Sequence, residues 1–238
     1  MQQSLSISCG EYLDIRSIFM RTLPAQPCLL CGALSHDGVW CTACNHDLPR
    51  LTAAHCPICA LPTVHGETCG HCLKKMPPFD HTVAAFTYDF PIDKLIGALK
   101  FNERLNLVNS LADALATQIE FRADCLVAMP LHPMRLRERG FNQSLLLARR
   151  IARSLNIPLL VNACQRTRNT TPQSTLPWKE RDKNMRDAFS CSTDFEGKHV
   201  AIVDDVLTTG ASVGELAKVL RHHGAKEISA WVVARTLP

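Results

Sequence analysis

Short continuous apolar runs alternate along this chain with longer stretches in which apolar residues recur every three or four positions. Cys125–Met129 and Val200–Val203 are unbroken and bounded by charge or proline, which predicts strands buried on both faces. His81–Tyr88 alternates well enough to add a strand, and Pro158–Ala163 and Ile228–Ala234 supply two more. Helical spacing covers Ile92–Leu99, Leu105–Ile119, Asn142–Leu155 and Ala211–Arg221; in the third, Leu145, Leu146, Ala148, Ile151, Ala152 and Leu155 fall on or near one face. Strands that alternate with helices assemble a parallel sheet whose ligand lies at the strands' carboxyl ends. The expected fold class is therefore α/β, a parallel sheet flanked by helices.

The chemistry concentrates where the Val200 strand is expected to end. Asp204 and Asp205 are followed by Thr208, Thr209, Gly210, Ala211 and Ser212, and the apolar pattern of a helix resumes after Gly210. That places the loop at a helix N-terminus, where free N–H groups and the helix dipole attract an anion. Gly210 allows close backbone approach, the hydroxyls add donors, and the two acids can accept from vicinal ribose hydroxyls. A strand-turn-helix with capping acids is the plainer alternative. The paired acids ahead of the hydroxyl-rich loop favour a ribose 5-phosphate site.

Eight of the twelve cysteines form four Cys-x-x-Cys knuckles: Cys28/Cys31, Cys41/Cys44, Cys56/Cys59 and Cys69/Cys72. The second pair of knuckles repeats the first at an offset of 28 residues, and Gly38 and Pro49 recur as Gly66 and Pro77. This internal duplication predicts two all-cysteine structural zinc sites, each completed within one copy. His36, His46, His55, His65 and His71 lie nearby but are not needed as ligands. Cys9, Cys125, Cys164 and Cys191 are left over and read as small core residues.

With 238 residues, 46% of them hydrophobic, the chain can hold one α/β domain and a small module. No apolar run is long enough to cross a bilayer and no export signal is read at the N-terminus, so a cytoplasmic location is expected. The net charge is only +4. It is uneven, however: residues 124–187 carry twelve basic against five acidic side chains. The excess brackets two polar segments, Pro130–Arg139 and Arg166–Arg186, expected as loops around the phosphate site, with Arg135, Arg137 and Arg139 contacting phosphate. Arg149, Arg150 and Arg153 read as a solvated helix face. Arg166–Asp187, with two prolines and little periodicity, reads as disordered or as an active-site flap.

Taken together, Pro130-Leu-His-Pro133, Arg139-Gly-Phe-Asn-Gln143, Gln173-Ser-Thr-Leu176 with Arg181, Asn184 and Ala188-Phe189, the Lys100-Phe101 pair, the Asp-Asp-Val-Leu-Thr-Thr-Gly loop and the cysteine knuckles resemble the ComF family of competence proteins, including its GntX-type members. The resemblance runs from Cys28 to the C-terminus and departs at Asn102–Arg104, where relatives often carry glycine. It implies an N-terminal extension at 1–27, a double zinc ribbon at 28–77 and a type I phosphoribosyltransferase domain at 78–238. It also implies a pyrophosphate loop at Leu131, His132, Pro133 and Arg135, a flexible loop containing Gln173 and Arg181, and magnesium bound with phosphoribosyl pyrophosphate. The implied role is cytosolic handling of single-stranded DNA during natural transformation, beside a ComFA-type translocase and DprA. Thr208 stands where oxopurine-salvaging enzymes place an Asp, and the cysteine of a glutaminase half is absent from the start of the chain, so the acceptor stays open. A small-molecule phosphoribosyltransferase and a non-catalytic zinc-ribbon or DNA-binding adaptor remain as alternatives.

Overall fold

The computed structural model describes residues 26–36, 38–51, 54–168 and 185–237. The chain divides into two compact units, one ending at Asp47 and the other running Leu48–Pro238.

In the first unit, β1 (Gln26–Pro27) and β2 (Leu34–Ser35) pair antiparallel and α1 (Thr42–His46) follows. Among its described residues, Cys28, Val39 and Trp40 are buried, with the Trp40 indole N–H donating to Asn45 Oδ1 at 3.1 Å.

The second unit opens with α2 (Gly70–Lys74) and continues through β3 (His81–Thr87), α3 (Ile92–Phe101), α4 (Leu107–Ala116), β4 (Cys125–Ala128), α5 (Pro133–Arg139) and α6 (Gln143–Leu155). A two-stranded hairpin, β5 (Cys164–Arg166) with β6 (Phe189–Cys191), precedes β7 (His199–Leu207), α7 (Ala211–His222) and β8 (Glu227–Arg235). The main sheet has the order β3-β8-β7-β4 and every pairing in it is parallel. Side chains on a strand alternate between faces. One set, including Val127, Val200, Ile202, Ala230 and Val232, clusters with Val213, Leu216, Ala217 and Leu220 of α7. Helices α4 and α6 pack on each other and on the sheet, contributing Leu111, Leu115, Leu147 and Ile151 to the core. Burial on both faces is why these strands read as unbroken apolar runs.

Three expectations are corrected. The Pro158–Ala163 strand reduces to one bridge between Leu159 and Leu126, because only Pro158 O and Leu160 N reach the backbone of β4. Pro130–Arg139 is not simply a loop: Pro133 occupies the first turn of a helix whose N-cap, His132, accepts from Met134 N through Nδ1. Cys164 and Cys191 are not separate core residues but a disulfide, since the β5–β6 register sets them directly opposite. Cys125 is free and buried, as read, and Cys9 lies outside the described residues. Among the described residues, no helix is long and apolar enough to cross a membrane.

A glycine at the end of α7 gives a stability prediction. Gly224 has φ +89°, and a Cβ there would lie 2.9 Å from Glu196 Cα. Left-handed strain and this backbone clash together should cost Gly224→Ala about 2 kcal/mol or more, read by denaturant unfolding. A loss under about 0.5 kcal/mol would show that the 196–198 turn yields freely.

Candidate ligand site and metal centres

β7 does not stop at the acids. It runs three residues beyond Asp204, pairing Val206 with Ala234 and Leu207 with Arg235, so Asp204 and Asp205 are buried inside a central strand near its carboxyl end. Buried carboxylates need partners, and here each has its own. Asp204 Oδ1 accepts from Ser144 Oγ at 2.8 Å and from the Asp205 backbone N–H at 2.9 Å. Asp205 Oδ2 faces Lys100 Nζ at 2.9 Å. Burial and the neighbouring Asp205 charge raise the Asp204 pKa to about 7, against the pull of Lys100 and Ser144. Burial opposes the Lys100 ammonium as well, yet Asp205 and Asp204 hold its pKa above the ordinary lysine value. Two acids and one lysine are thus closest to neutral when one carboxyl keeps its proton.

After Leu207 the chain turns through Thr208–Gly210 into α7, with Gly210 at φ +81° as N-cap and Ala211 N donating to Thr209 Oγ1 at 3.1 Å. The loop from Thr208 to Ser212 is half-exposed, so its donors remain reachable from solvent. Its carbonyl side is held from behind by Arg235, a buried guanidinium at the end of β8. Nη1 of Arg235 donates to Leu207 O at 2.9 Å and also to Thr208 O, while Nε donates to Cys59 O at 2.7 Å.

The segment from Arg139 to Ser144 builds the wall beside the acids. Gly140, at φ +79°, ends α5, and Asn142 N-caps α6 by accepting from Ser144 N and Leu145 N while donating to Met129 O at 3.1 Å. Arg139 Nη1 donates to the buried Gln143 Oε1 at 2.6 Å. The Arg139 pKa is lowered first by burial and also by Arg135, with Asp205 acting in the opposite sense. Arg166 is lowered by burial and then by Arg135, with Asp204 opposing. Four cations, Lys100, Arg135, Arg139 and Arg166, therefore feel the acid pair or one another. Such a surplus suits an anion larger than one phosphate.

Of the residues expected at the ligand, Asp204, Asp205 and Thr208–Ser212 lie together on β7 and the start of α7, while Leu131, His132, Pro133 and Arg135 lie on the turn and helix after β4. Gln173 and Arg181 lie outside the described residues. Ser144 and Arg235 are additions, while Lys100 and Arg166, singled out in the sequence only within a residue pair and a basic segment, gain a place beside the acids. Arg235 had a readable signal, as a charge closing the apolar run Trp231–Ala234.

The cysteines gather as the repeat predicts: the sulfurs of Cys28, Cys31, Cys41 and Cys44 lie within 4.8 Å of one another, and so do those of Cys56, Cys59, Cys69 and Cys72. Burial alone would raise the Cys28 pKa, but the N–H groups of Cys31, Cys41 and Leu30 bring it down to about 6. Cys56 is brought to about 7 in the same way, against burial, by Cys69, Cys59 and Ile58. Their neighbours are pushed up, Cys44 by hydrogen bonding to Cys31 and Cys72 by burial and the nearby Cys59. Four thiols this close cannot all ionise without a cation, and a tetrahedral divalent ion supplies one. Both groups fit structural zinc.

Comparison with known proteins agrees with this division of labour. A phosphoribosyl transferase domain model matches residues 142–237, and a double zinc ribbon model matches residues 19–73. The DNA utilization protein YhgH of Escherichia coli (strain K12) is 36% identical over 230 residues, covering 92% of this chain and all of the relative. Competence protein F of Haemophilus influenzae is 33% identical over 207 residues, with 82% of this chain and 90% of that protein covered. The chain belongs to the ComF family of competence proteins. Competence protein ComFC of Bacillus subtilis extends the likeness at 26% identity, over 88% of this chain and 95% of its own length. The fold is that of a type I phosphoribosyltransferase carrying zinc ribbons. Within it, the segment Arg139–Ser144 joins α5 to α6 and reaches Asp204 through Ser144.

Proposed function

We propose that this ComF protein binds phosphoribosyl pyrophosphate with magnesium and acts in the cytosol on single-stranded DNA arriving during natural transformation. The observation that carries the reading is the buried Asp204–Asp205 pair, braced by Ser144 and Lys100, directly ahead of a half-exposed loop that opens a helix. The acids accept from the two ribose hydroxyls, and Thr208, Thr209, Gly210, Ala211 and Ser212 cradle the 5'-phosphate. Leu131, His132 and Pro133 line the pyrophosphate turn, with Arg135 as its cation. Magnesium, when bound with the ligand, would neutralise pyrophosphate and ribose oxygens beside Asp204 and Asp205 while keeping water ligands. Gln173 and Arg181 are proposed for closure over the ligand. Transfer at the anomeric carbon then depends on leaving-group stabilisation by the cations and on exclusion of water. The competence and DNA-utilization names of the relatives support the DNA role, and a ComFA-type translocase and DprA are the proposed partners.

Calorimetric titration of phosphoribosyl pyrophosphate with magnesium tests the ligand. Wild type should bind, and Asp204→Ala/Asp205→Ala should bind roughly a hundredfold more weakly, because two charge-assisted acceptor sites are lost. In a naturally competent host, the gene carrying the double substitution should not restore transformation by linear DNA to a deletion strain. Equal titration curves would reject the ligand, and full rescue would reject its need in competence.

A further inference from the structure

Phe101 closes α3 with 73% of its surface in solvent, although the residue before it, Lys100, reaches the acid pair. A lone exposed phenylalanine means little, but this one is not loose on the surface. The Arg139 guanidinium carbon lies 5.5 Å from the centre of its ring, and Arg139 is itself fixed by its 2.6 Å hydrogen bond to buried Gln143. The ring is thus backed by a cation and anchored through Lys100, with most of its area left open. Both anchors also act on Asp204 and Asp205, since each is electrostatically coupled to those acids. A cation-backed aromatic surface beside a positively charged site is the chemistry that stacks nucleobases, because every base offers a π-face while the cations hold its phosphate.

We infer that Phe101, backed by Arg139, is the stacking platform for a nucleobase, carried either by a mononucleotide or by a single-stranded nucleic acid, next to the ribose-phosphate site. The inference rests on the reading of Asp204 and Asp205 as that site. It also assigns Arg139 two tasks, holding the ring and balancing the acids, and so explains why its guanidinium is fixed by Gln143 rather than left in solvent.

The test compares wild type, Phe101→Ala and Phe101→Trp in titrations with phosphoribosyl pyrophosphate, which has no base, with a nucleoside 5'-monophosphate and with a single-stranded oligonucleotide. Phe101→Ala should weaken at least one base-bearing ligand by on the order of tenfold, a loss several times larger than for phosphoribosyl pyrophosphate. Phe101→Trp should retain affinity and add fluorescence that a base-bearing ligand quenches and phosphoribosyl pyrophosphate does not. A loss for the mononucleotide assigns the platform to a nucleotide; a loss confined to the oligonucleotide assigns it to the strand. Unchanged base-bearing affinities in Phe101→Ala, or an equal loss for the base-free ligand, would overturn the inference. So would a wild-type dimer that Phe101→Ala dissociates in sedimentation, since the ring would then be covered by a second copy. Failure of wild type to bind phosphoribosyl pyrophosphate rejects the ribose-phosphate reading instead, and the oligonucleotide arm still decides the role of Phe101.

Discussion

Cys56→Ser should lose one of two zinc equivalents and bring the whole α/β unit down with it, whereas Cys28→Ser should lose one equivalent and leave that unit's melting unchanged. The asymmetry follows from where the two groups sit. The second group belongs to the same compact unit as the sheet, with Ile58 and Ala60 packed on the core that α7 covers. Its backbone is sewn to the domain: Thr82 N donates to Pro57 O at 3.0 Å, Thr82 Oγ1 to Ile58 O at 2.6 Å, and Arg235 Nε to Cys59 O at 2.7 Å. Structural zinc binding is worth on the order of 10 kcal/mol in folding free energy, so losing even a third of that should lower the melting temperature by roughly 10 °C in a unit of this size. Arg235 should transmit a second effect. Once the Cys59 carbonyl shifts, the guanidinium that steadies Leu207 and Thr208 loses a fixed partner, and affinity for the proposed ligand, phosphoribosyl pyrophosphate, should fall about tenfold. Metal analysis, thermal unfolding and calorimetry on both variants check this. Equal melting losses for the two would show that the ribbons act alike.

Asp204→Asn should flatten the pH dependence of stability between about pH 5 and pH 8. In the folded protein the Asp204 pKa is raised from 3.8 to about 7, because burial and Asp205 disfavour its charge. The folded state therefore holds this proton more tightly than the unfolded chain does. That contribution is fully present below about pH 4 and is lost as pH rises through 7. A shift of three units corresponds to up to about 4 kcal/mol in all, of which roughly 2–3 kcal/mol is lost between pH 5 and pH 8. Wild type should accordingly lose that much from pH 5 to pH 8, and the asparagine variant only a small part of it. Denaturant unfolding at each pH gives the comparison. Parallel pH profiles for the two proteins would mean that Asp204 titrates near its ordinary value.

Much of the fold was legible because both periodicities were strong: the apolar runs at Cys125 and Val200 became the neighbouring parallel strands β4 and β7, and the spacing over Asn142–Leu155 became α6 almost to the residue. The cysteine repeat was equally direct, since a fixed offset leaves little freedom in pairing. What escaped has identifiable causes. Charge marked Asp204–Asp205 as the end of a strand, but β8 offers backbone partners as far as Arg235, and pairing there outweighs the polar sequence. Pro133 hid a helix start inside a basic segment, because a proline read as a breaker also fits the first helical turn. The contacts of Ser144 and Lys100 with the acids were unreadable: their partners lie 60 and 105 positions away, and neither the residues around Ser144 nor the Lys100-Phe101 pair points to an aspartate. The Cys164–Cys191 bridge depends on a hairpin register that the sequence between the two cysteines does not encode in any regular pattern.

The sheet order bears on how the protein is made. β8 lies between β3 and β7, so the earliest strand of the domain finds its partner only in the latest one. During synthesis β3 and β7 must leave the ribosome with open edges, and the sheet cannot close until residues 227–235 have emerged. Pairings between strands so distant in sequence are slow to form and leave sticky intermediates exposed. Cys28, Cys31, Cys41 and Cys44, which need nothing beyond Asp47 to meet one another, can capture their metal while the rest of the chain is still being translated. Nascent chains stalled before β8 should therefore carry a finished first ribbon on an unfinished, chaperone-dependent domain.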